Sequence, residues 1–553
     1  PRARRSGTLR RGENGMIRAE IEPLGIERVS DFVTWYAART PRSEALVIDD
    51  LRIDYGELET RVTALAKALL AAGVAKGDRV VTLATPHPDY FMLFLATSSI
   101  GAIWVGLNPK YRLEELRYVV ADCEPVVMFT RTRVGDRDYG EDIEEIRRAV
   151  PSLRRVVALD GFRADIPVAD IGSLRDVLQG ADKVDAAALA AAQAGCGGRD
   201  PCLIVYTSGS TGRPKGAVLH HEGIVRLCLA QNRLWPVPQQ RVLNFLPVNH
   251  VGCVVDLSCP TLAAGGCLVF MEQFDVGGSL RLMQSERISW WASVPSVFQM
   301  QLAHPDFVTC DLSAVQLIVW EGAAMPQPMI ERLSAICPRL ATNYGMTETT
   351  SAMTAEAPTT DLEVLANSVG APFDDVEIRL VTEAGTVAAP GEPGEVQARS
   401  AYNMLGYWRR PEETAATLLP EGWLRTGDIA IRRPDGRLRL IGRLKEMFKS
   451  GGYNVYPREI EAVIEEHAAV DTAAVVGVPD PLWGEVGVAY VLARAPVQAE
   501  TLLAHCRQRL ANYKLPKRLH IVDALPLLPI GKVDKVALRQ RAQIPDDEDG
   551  GRP

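Results

Sequence analysis

The chain has 553 residues, 47% of them hydrophobic and 24% charged, with a formal net charge of -8 at pH 7. This length is more than one ordinary core fills, so we expect two or more domains. The composition is that of a globular protein, and the negative net charge argues against a nucleic-acid binder, which would normally be basic. The 10 cysteines include no C-x-x-C pair, so we expect neither a zinc site nor a disulfide framework and favour a cytoplasmic protein with reduced thiols.

Two stretches need to be told apart from targeting or membrane segments. Residues 1–15 hold 5 arginines and 1 acidic residue, as a transit peptide would, but they lack an apolar face, so we assign residues 1–16 to a disordered extension. Residues 90–109 carry no charge, yet Ser98, Ser99 and Asn108 interrupt them. They therefore predict a buried helix up to Ile100 and a strand over 102–107, and no stable membrane span is expected.

Helical and strand patterns alternate from Ser30 onward. Apolar residues recur at three- and four-residue intervals over 58–69, which predicts an amphipathic helix, and residues 79–84 predict a buried strand. Residues 186–198, rich in alanine and glycine, predict a connector. Such alternation indicates parallel sheets with helices on their faces. The remaining predictions in this region are a helix over 113–120 and strands over 126–129, 203–206, 217–219, 243–247 and 289–293.

The pattern changes after Val376, where short strands separated by turn residues predict a small β-barrel module. A boundary is expected at 442–446. Beyond it, two helices and two strands predict a compact unit, over 457–467, 502–510, 473–478 and 519–522.

The predicted fold class is α/β: a large N-terminal domain of parallel-sheet αβ layers plus the β-barrel module, and a small α+β C-terminal domain joined by a hinge. We place the N-terminal domain at 17–441, the hinge at 442–446 and the mobile C-terminal domain at 447–541. Residues 542–553 include four consecutive acids, Asp546 to Asp549, and predict a disordered tail.

The most informative stretch is 206–216, in which a polar loop joins two apolar runs. Small residues allow backbone N–H groups to converge on an anion, and hydroxyls with one lysine add donors and charge. A Walker A loop is excluded because Gly212 is followed by Arg-Pro-Lys and then a strand. The residues predicted to hold a phosphate are Thr207, Ser208, Gly209, Ser210, Thr211, Gly212 and Lys215.

This stretch resembles the phosphate loop of the adenylate-forming superfamily, which includes acyl-CoA synthetases, beetle luciferases and adenylation domains of peptide synthetases. Further motifs of that family follow in order. Residues 344–349, Tyr-Gly-Met-Thr-Glu-Thr, surround one carboxylate with glycine and hydroxyls, as a Mg²⁺–nucleotide site requires. By resemblance, Glu348 holds Mg²⁺ together with Thr211, Thr347 contacts the α-phosphate, and Tyr344 stacks on adenine beside Gly345 and Met346.

The resemblance implies further roles in binding ATP. Asp428, in Thr-Gly-Asp, would accept hydrogen bonds from the ribose hydroxyls, and Arg443 would assist there. The glycine-rich adenine strand departs from the usual Gly-Gly-Ala, because here Gly322 and Ala323 follow Trp320-Glu321.

The C-terminal motifs imply a second half-reaction. Residues 449–453, Lys-Ser-Gly-Gly-Tyr, would admit the pantetheine arm of coenzyme A, since Gly451 and Gly452 allow close backbone approach. Lys532, otherwise a typical surface lysine, resembles the family's adenylation lysine, and Lys445 matches its hinge. The coenzyme A site is predicted at Lys449, Ser450, Gly451, Gly452 and Tyr453.

The acyl pocket is predicted from residues 245–252, where His250 would act as a gate or, alternatively, pack as a core histidine. Amino-acid-activating domains place an aspartate just past this point, and Val251-Gly252 stand here instead. With Trp320 and Met346 as further walls, the predicted substrate is an apolar carboxylic acid, whether linear, aryl or polycyclic.

The predicted reaction follows from the chemistry of carboxylates, which are poor electrophiles. Joining the acid to AMP, with loss of pyrophosphate, makes an anhydride that a thiol can attack, and cationic groups must offset the repulsion between the anions. We therefore predict an ATP- and Mg²⁺-dependent acid–CoA ligase in which Lys532, Lys449, Thr347, Glu348 and His250 are catalytic. The alternatives are a freestanding adenylation enzyme that loads a carrier protein, a luciferase-like oxygenase and a non-catalytic nucleotide binder; a homodimer stays open.

Overall fold

A computed structural model describes residues 25–160, 171–207, 213–527 and 533–543. The predicted extension 1–16 lies outside these ranges, as does the predicted acidic tail apart from Ala542 and Gln543. No helix in the described ranges is both long and apolar enough to cross a membrane.

The strands of the described chain are β1 Glu44–Ile48, β2 Leu51–Asp54, β3 Arg79–Leu83, β4 Ile103–Leu107, β5 Val127–Thr130, β6 Arg133–Val134, β7 Arg137–Asp138, β8 Arg155–Ala158, β9 Ile171–Ser173, β10 Pro201–Thr207, β11 Lys215–His220, β12 Arg241–Asn244, β13 Cys267–Phe270, β14 Trp290–Ser293, β15 Leu317–Trp320, β16 Leu340–Met346, β17 Ser351–Ala355, β18 Ala371–Pro372, β19 Val376–Val381, β20 Gly394–Ser400, β21 Gly406–Tyr407, β22 Leu424–Arg432, β23 Leu438–Arg443, β24 Phe448–Ser450, β25 Tyr453–Val455, β26 Val470–Asp480, β27 Gly484–Ala493 and β28 Arg518–Val522.

The α-helices are α1 Asp31–Arg39, α2 Tyr55–Ala71, α3 Pro88–Ser99, α4 Leu113–Cys123, α5 Gly140–Ala149, α6 Leu174–Gln179, α7 Ala186–Ala194, α8 His221–Leu234, α9 Cys259–Ala263, α10 Val276–Ser285, α11 Pro295–Ala303, α12 Gln327–Ser334, α13 Leu362–Asn367, α14 Pro411–Thr417, α15 Pro457–Glu465, α16 Ala499–Arg507 and α17 Lys535–Ala542.

Two large sheets form the N-terminal part of the described chain. The first has the order β18-β17-β16-β15-β14-β12-β13-β1-β2, and the second has the order β21-β11-β10-β4-β3-β5-β8-β9. The central strands of both are parallel; antiparallel strands lie at both edges of the first sheet and at the β21–β11 edge of the second. The predicted αβ layers are confirmed.

Local sequence explains the helices that cover these sheets. Helix α2 begins where the Asp54 side chain accepts a hydrogen bond from the Glu57 amide, 2.8 Å away, and it buries the apolar face predicted over 58–69. Helix α3 is buried along nearly its whole length and contacts strands of both sheets. The uncharged segment 90–109 is thus a core helix followed by β4, as predicted.

The structure corrects three local predictions. The connector over 186–198 contains helix α7, since Asp185 caps a run of strong helix-forming alanines. Strand β12 ends at Asn244 rather than at residue 247. The β module is an antiparallel sheet in the order β19-β20-β22-β23, and in the described residues its outer strands do not pair. Four short strands are too few to close a barrel around a side-chain core.

The C-terminal part is a separate α+β unit. Strand β27 pairs with β26, β24 and β28, and α15 and α16 cover a core that includes Phe448, Ile460 and Leu502. Between β23 and β24 the chain makes a turn in which the Glu446 and Met447 amides donate to the Arg443 carbonyl. The domain bounds given above stay predictions.

Candidate active site

The phosphate loop joins β10 to β11, which pair in antiparallel fashion with Thr207 opposite Lys215. The Thr207 hydroxyl donates to the Lys215 carbonyl at 3.5 Å. The Lys215 ammonium lies 5.4 Å from the centre of the Tyr407 ring. The other predicted loop residues, Ser208, Gly209, Ser210, Thr211 and Gly212, lie outside the described residues.

The predicted metal carboxylate, Glu348, lies in a short 3₁₀ turn, Thr347–Thr349, directly after β16. It is buried, and its Oε1 accepts a hydrogen bond of 2.7 Å from the Tyr407 hydroxyl. Tyr407 belongs to β21 at the edge of the second sheet. The structure therefore brings the predicted metal carboxylate and Lys215 to one tyrosine. The sequence analysis missed Tyr407 because it is distant from Glu348 in sequence.

The predicted ribose site is assembled from three strands. Asp428 lies within β22, after Gly427 at a φ of +70°, rather than on a free turn. Its Oδ2 accepts from the Tyr344 hydroxyl at 2.8 Å, and its Oδ1 lies 2.8 Å from Nε of Arg443. Burial, followed by the charge of Asp428, raises the pKa of Tyr344, so its hydroxyl stays a donor. Burial would lower the pKa of Arg443, but the charges of Asp428 and Glu446 raise it overall.

Close backbone packing surrounds the predicted adenine strand. Gly345 of β16 faces Ser351 of β17 so closely that an added Cβ would lie 1.7 Å from the Ser351 carbonyl oxygen. Gly322 has a φ of +81° and, with Ala323, is exposed directly after β15. These residues lie at the carboxyl ends of parallel strands, which is where α/β sheets bind ligands.

The predicted acyl pocket begins at His250, whose Nδ1 accepts from the Gly252 amide at 3.0 Å. From Gly252 to Ser258 the chain forms a π-helix, a form common at functional sites. Asn244 stabilises it by donating to the Cys253 carbonyl at 3.0 Å. Val251 and Met346 contact the core cluster that lies on this face of the first sheet.

Trp320 is not placed with the other predicted pocket walls. Successive side chains of β15 alternate between the two faces, and Val319 packs with Val251 in one cluster whereas Trp320 packs with Ile318 in another. Trp320 therefore packs on the face opposite Val319, and its place in the acyl pocket stays a prediction. The same alternation places the next residue, Glu321, on the face that carries Val319. Glu321 is part of the departure from Gly-Gly-Ala, and that departure was the sequence signal that could have identified it.

The predicted coenzyme A segment is a tight hairpin between β24 and β25. Ser450 pairs with Tyr453 across a two-residue turn in which Gly451 and Gly452 have φ values of +57° and +85°. Such a turn strongly favours glycine. Lys449 is exposed, and Tyr453 stacks on Tyr513 with 4.5 Å between ring centres.

Lys445, the predicted hinge residue, is exposed in the turn after β23. Its neighbour Glu446 accepts from the Lys535 ammonium at 2.8 Å, and Lys535 also lies 2.7 Å from Glu461. The adenylation lysine, Lys532, lies outside the described residues.

Two family models match the chain in the order that these motifs predict. The model of AMP-binding enzymes covers residues 33–408, and that of the AMP-binding enzyme C-terminal domain covers residues 459–532. The chain belongs to this family. The resemblance stated from the sequence is confirmed, as is the α/β fold class with parallel sheets and a separate C-terminal domain.

Similar proteins agree over nearly their whole length. A feruloyl-CoA synthase of an Amycolatopsis species is 34% identical over 510 residues, 91% of this chain and 97% of that protein. An indoleacetate–CoA ligase of Aromatoleum aromaticum is 33% identical over 519 residues, 93% of this chain and 98% of that protein. The crystal structure of ATP-bound MatB from Rhodopseudomonas palustris has a TM-score of 0.82 at 29% identity, covering 93% of this chain and 99% of that one. The prediction of an AMP-forming acid–CoA ligase is confirmed at this level.

Proposed function

We propose that the residues described above carry out two half-reactions on one carboxylic acid. In the first, the acid's carboxylate oxygen attacks the α-phosphorus of ATP, and pyrophosphate leaves. In the second, the coenzyme A thiol attacks the acyl carbonyl, a C–S bond forms, AMP leaves, and the thiol proton is released. The proposal is supported most directly by the Tyr344–Asp428–Arg443 arrangement, with two contacts of 2.8 Å.

This arrangement suits a ribose because it fixes a buried carboxylate before the nucleotide arrives. A carboxylate has about four acceptor positions, so Asp428 can bind Tyr344 and Arg443 and still accept from two ribose hydroxyls. The ring of Tyr344 would then lie against adenine, beside Gly322, Ala323, Gly345 and Met346. Groups held in advance need no reorganisation during the reaction.

Mg²⁺ fits the donors at Glu348. The described residues contain no cluster of three or more potential metal-binding side chains, and Mg²⁺ is usually held by one or two carboxylates together with substrate phosphates. Tyr407 occupies Oε1 of Glu348, which leaves Oε2 for the ion, and we propose that Thr211 completes the protein's share. When bound, the ion neutralises charge on the phosphates. Thr207, Lys215 and Thr347 would donate to the same phosphates.

We further propose that the C-terminal domain presents Lys532 in the first half-reaction and the Lys449–Tyr453 hairpin in the second, by rotation at Lys445. A cytoplasmic location is supported by the cysteines, since all 10 are free thiols, as expected in a reducing compartment.

The decisive experiment measures pyrophosphate release with a panel of carboxylic acids, with and without coenzyme A. We expect pyrophosphate release to depend on the acid and on Mg²⁺, and thioester to appear only when coenzyme A is added. Amino acids should be poor substrates because Val251-Gly252 replace the aspartate that binds an ammonium group. A clear preference for an α-amino acid, or pyrophosphate release that no acid stimulates, would contradict the proposal.

A further inference from the structure

Helix α4 holds both flanks of the phosphate loop, Tyr206 and Pro214. The Tyr206 hydroxyl, near the end of β10, donates to Oδ2 of Asp122 at 2.7 Å. On the other side of the loop, the Pro214 carbonyl accepts a hydrogen bond of 2.9 Å from the Tyr118 hydroxyl. Tyr118 and Asp122 are four residues apart in α4, so they lie on one face of the helix. A single helix face thus fixes the chain shortly before and shortly after the loop.

Asp122 also holds the segment that carries Tyr407. Its Oδ1 accepts from the Arg410 guanidinium at 2.5 Å, and its backbone carbonyl accepts from the indole N–H of Trp408 at 3.2 Å. The hydrogen bond to Asp122 is the largest cause that raises the pKa of Arg410, so the guanidinium stays charged. Trp408 directly follows β21, whose Tyr407 binds Glu348. Asp122 therefore connects one flank of the phosphate loop to the partner of the predicted metal carboxylate.

The end of α4 is itself fixed to the second sheet. Arg79 of β3 donates to the Cys123 carbonyl at 2.6 Å and to the Glu124 carbonyl at 2.7 Å, which satisfies carbonyls that a helix end leaves without partners. Asp122 lies in the last turn, where the helix dipole disfavours a negative charge, and its side chain is only 10% exposed. The stability of α4 does not account for a buried carboxylate at this position, whereas its contacts with the loop flank and Arg410 do.

We infer that Tyr118 and Asp122 are positioning residues for the first half-reaction, because they fix both flanks of the loop that is proposed to bind the phosphates of ATP. This inference rests on the function proposed above and adds two residues to its site. Neither side chain needs to touch ATP, since a displacement of the loop's donors by about 1 Å is enough to cost about 100-fold in rate. A formed acyl-adenylate no longer carries the β- and γ-phosphates, so the second half-reaction depends less on the two residues.

The test compares the two half-reactions in Tyr118→Phe and Asp122→Ala. Tyr118→Phe removes one hydroxyl and keeps the ring, and it should lower kcat/KM for ATP in pyrophosphate release by about 5-fold, the worth of one neutral hydrogen bond. Asp122→Ala removes the contacts with both Tyr206 and Arg410 and should lower it by about 100-fold. Asp122→Asn keeps an acceptor for Tyr206, so its loss should lie between those of the wild type and Asp122→Ala. Thioester formation from synthetic acyl-adenylate should fall by a much smaller factor in each variant.

Two control variants lose matched contacts that do not involve the loop flanks. Tyr36→Phe loses a tyrosine-to-carbonyl hydrogen bond of 2.9 Å, to Ala263. Glu144→Gln changes a carboxylate that is 9% exposed and lies 2.7 Å from Nε of Arg148. Both should leave kcat/KM for ATP as in the wild type. A second measurement needs no turnover: the Tyr118 and Asp122 variants should bind α,β-methylene ATP more weakly, while the Kd of an acyl-sulfamoyl adenosine, which has no β- or γ-phosphate, stays close to that of the wild type.

The outcomes distinguish this inference from the proposed function. Equal losses in the two half-reactions, or equal weakening of both ligands, would overturn the inference and leave the acid–CoA ligase intact, because the two residues would then stabilise the fold alone. If Asp122→Ala does not fold, Tyr118→Phe and Asp122→Asn decide the question by the same comparison. If no acid stimulates pyrophosphate release in the wild type, the proposed function is wrong and the inference fails with it.

Discussion

Tyr407 joins the two halves of the proposed phosphate site through its ring and its hydroxyl. The hydroxyl donates to Glu348 at 2.7 Å, and the ring lies 5.4 Å from the Lys215 ammonium. Burial, with the charge of Glu348 as the next cause, raises the pKa of Tyr407, so its hydroxyl is a donor near neutral pH. It can therefore hold one oxygen of Glu348 in place and direct the other toward a cation.

We predict that Tyr407→Phe will raise the Mg²⁺ concentration needed for half-maximal adenylation by about 10-fold, as is typical when a partner of a metal ligand is lost. The ring beside Lys215 is kept, so ATP affinity without Mg²⁺ should change little. A titration of pyrophosphate release with Mg²⁺ measures this. Tyr36→Phe is the matched control, since it also loses one hydroxyl contact, 2.9 Å to the Ala263 carbonyl, and the two variants responding alike would contradict the prediction.

Asp256, a buried residue of the π-helix Gly252–Ser258, affects the stability of the fold through its protonation. Its pKa is raised by burial and then by Glu321, so the folded protein holds a proton there that the unfolded chain releases near its ordinary pKa of about 4. The unfolded state is thus favoured increasingly as pH rises above that value. Replacing Asp256 with a residue that does not titrate should therefore raise the stability of the folded protein most at high pH.

We predict that the melting temperature of Asp256→Asn minus that of the wild type will be about 2 °C more positive at pH 8 than at pH 5. The size follows from how far a change in unfolding free energy shifts the Tm of a large protein. Asn keeps an oxygen for the Ser351 hydroxyl. Asp311→Asn serves as the control: Asp311 is exposed, and the backbone amide of Ser313 lowers its pKa, so it is ionised in both states across this range. A difference that is flat or falls with pH would refute the prediction.

At the scale of secondary-structure elements, β16, which carries Tyr344, Gly345 and Met346, approaches β17 unusually closely. The Cβ of an alanine at 345 would lie 1.7 Å from the carbonyl oxygen of Ser351 and 2.5 Å from its carbon. Both obstacles are backbone, so neither can rotate away. Gly345 is thus required by strand packing, independently of any contact with adenine.

We predict that Gly345→Ala will lose at least about 3 kcal/mol of stability, the upper end of the cost of overpacking a core, and will be recovered mostly as insoluble protein. Soluble yield and thermal unfolding measure the effect. Gly197→Ala is the control because a Cβ there meets nothing within 4 Å. A soluble Gly345→Ala with a wild-type melting temperature would show that the strands can separate at no cost.

Local patterns were sufficient to predict most elements, and tertiary contacts explain where they failed. The apolar periodicity over 58–69 and the uncharged run at 90–109 both identified buried helices, because burial on one face or on all faces appears directly in the sequence. Trp320 was assigned to the pocket as part of the motif that departs from Gly-Gly-Ala, and the strand period of two places it on the face opposite Val319. Tyr407 and Asp256 have no local signal, since their partners, Glu348 and Ser351, lie far away in sequence.

At the scale of the whole molecule, the two faces of the C-terminal domain both begin beside the hinge. Glu446 follows Lys445 and binds Lys535, which lies three residues after Lys532 in the sequence. Burial would lower the pKa of Lys535, but Glu461 and Glu446 raise it overall, so the contact is between charged groups. Lys535 is therefore held next to the predicted hinge, and the hairpin that carries Lys449 starts at Phe448, two residues after Glu446. A rotation at the proposed hinge residue, Lys445, would present one face or the other to the N-terminal domain.

The two faces can be separated by charge. Coenzyme A and ATP are both polyanions, but the Lys449 side chain is exposed, and its backbone amide donates to Glu485 of the same domain. Lys449→Glu should therefore fold normally and repel coenzyme A while leaving acyl-adenylate formation close to wild type.

Lys532→Ala should do the opposite: adenylation falls by about 100-fold if its charge acts on the developing transition state, and synthetic acyl-adenylate is still converted to thioester. Single-turnover assays of each half-reaction on both variants measure this. Lys445→Pro should slow the second half-reaction more than the first, because proline restricts the backbone that would turn. Equal losses in both half-reactions for Lys449→Glu and Lys532→Ala would mean that both lysines serve one fixed site, and domain rotation would have no role.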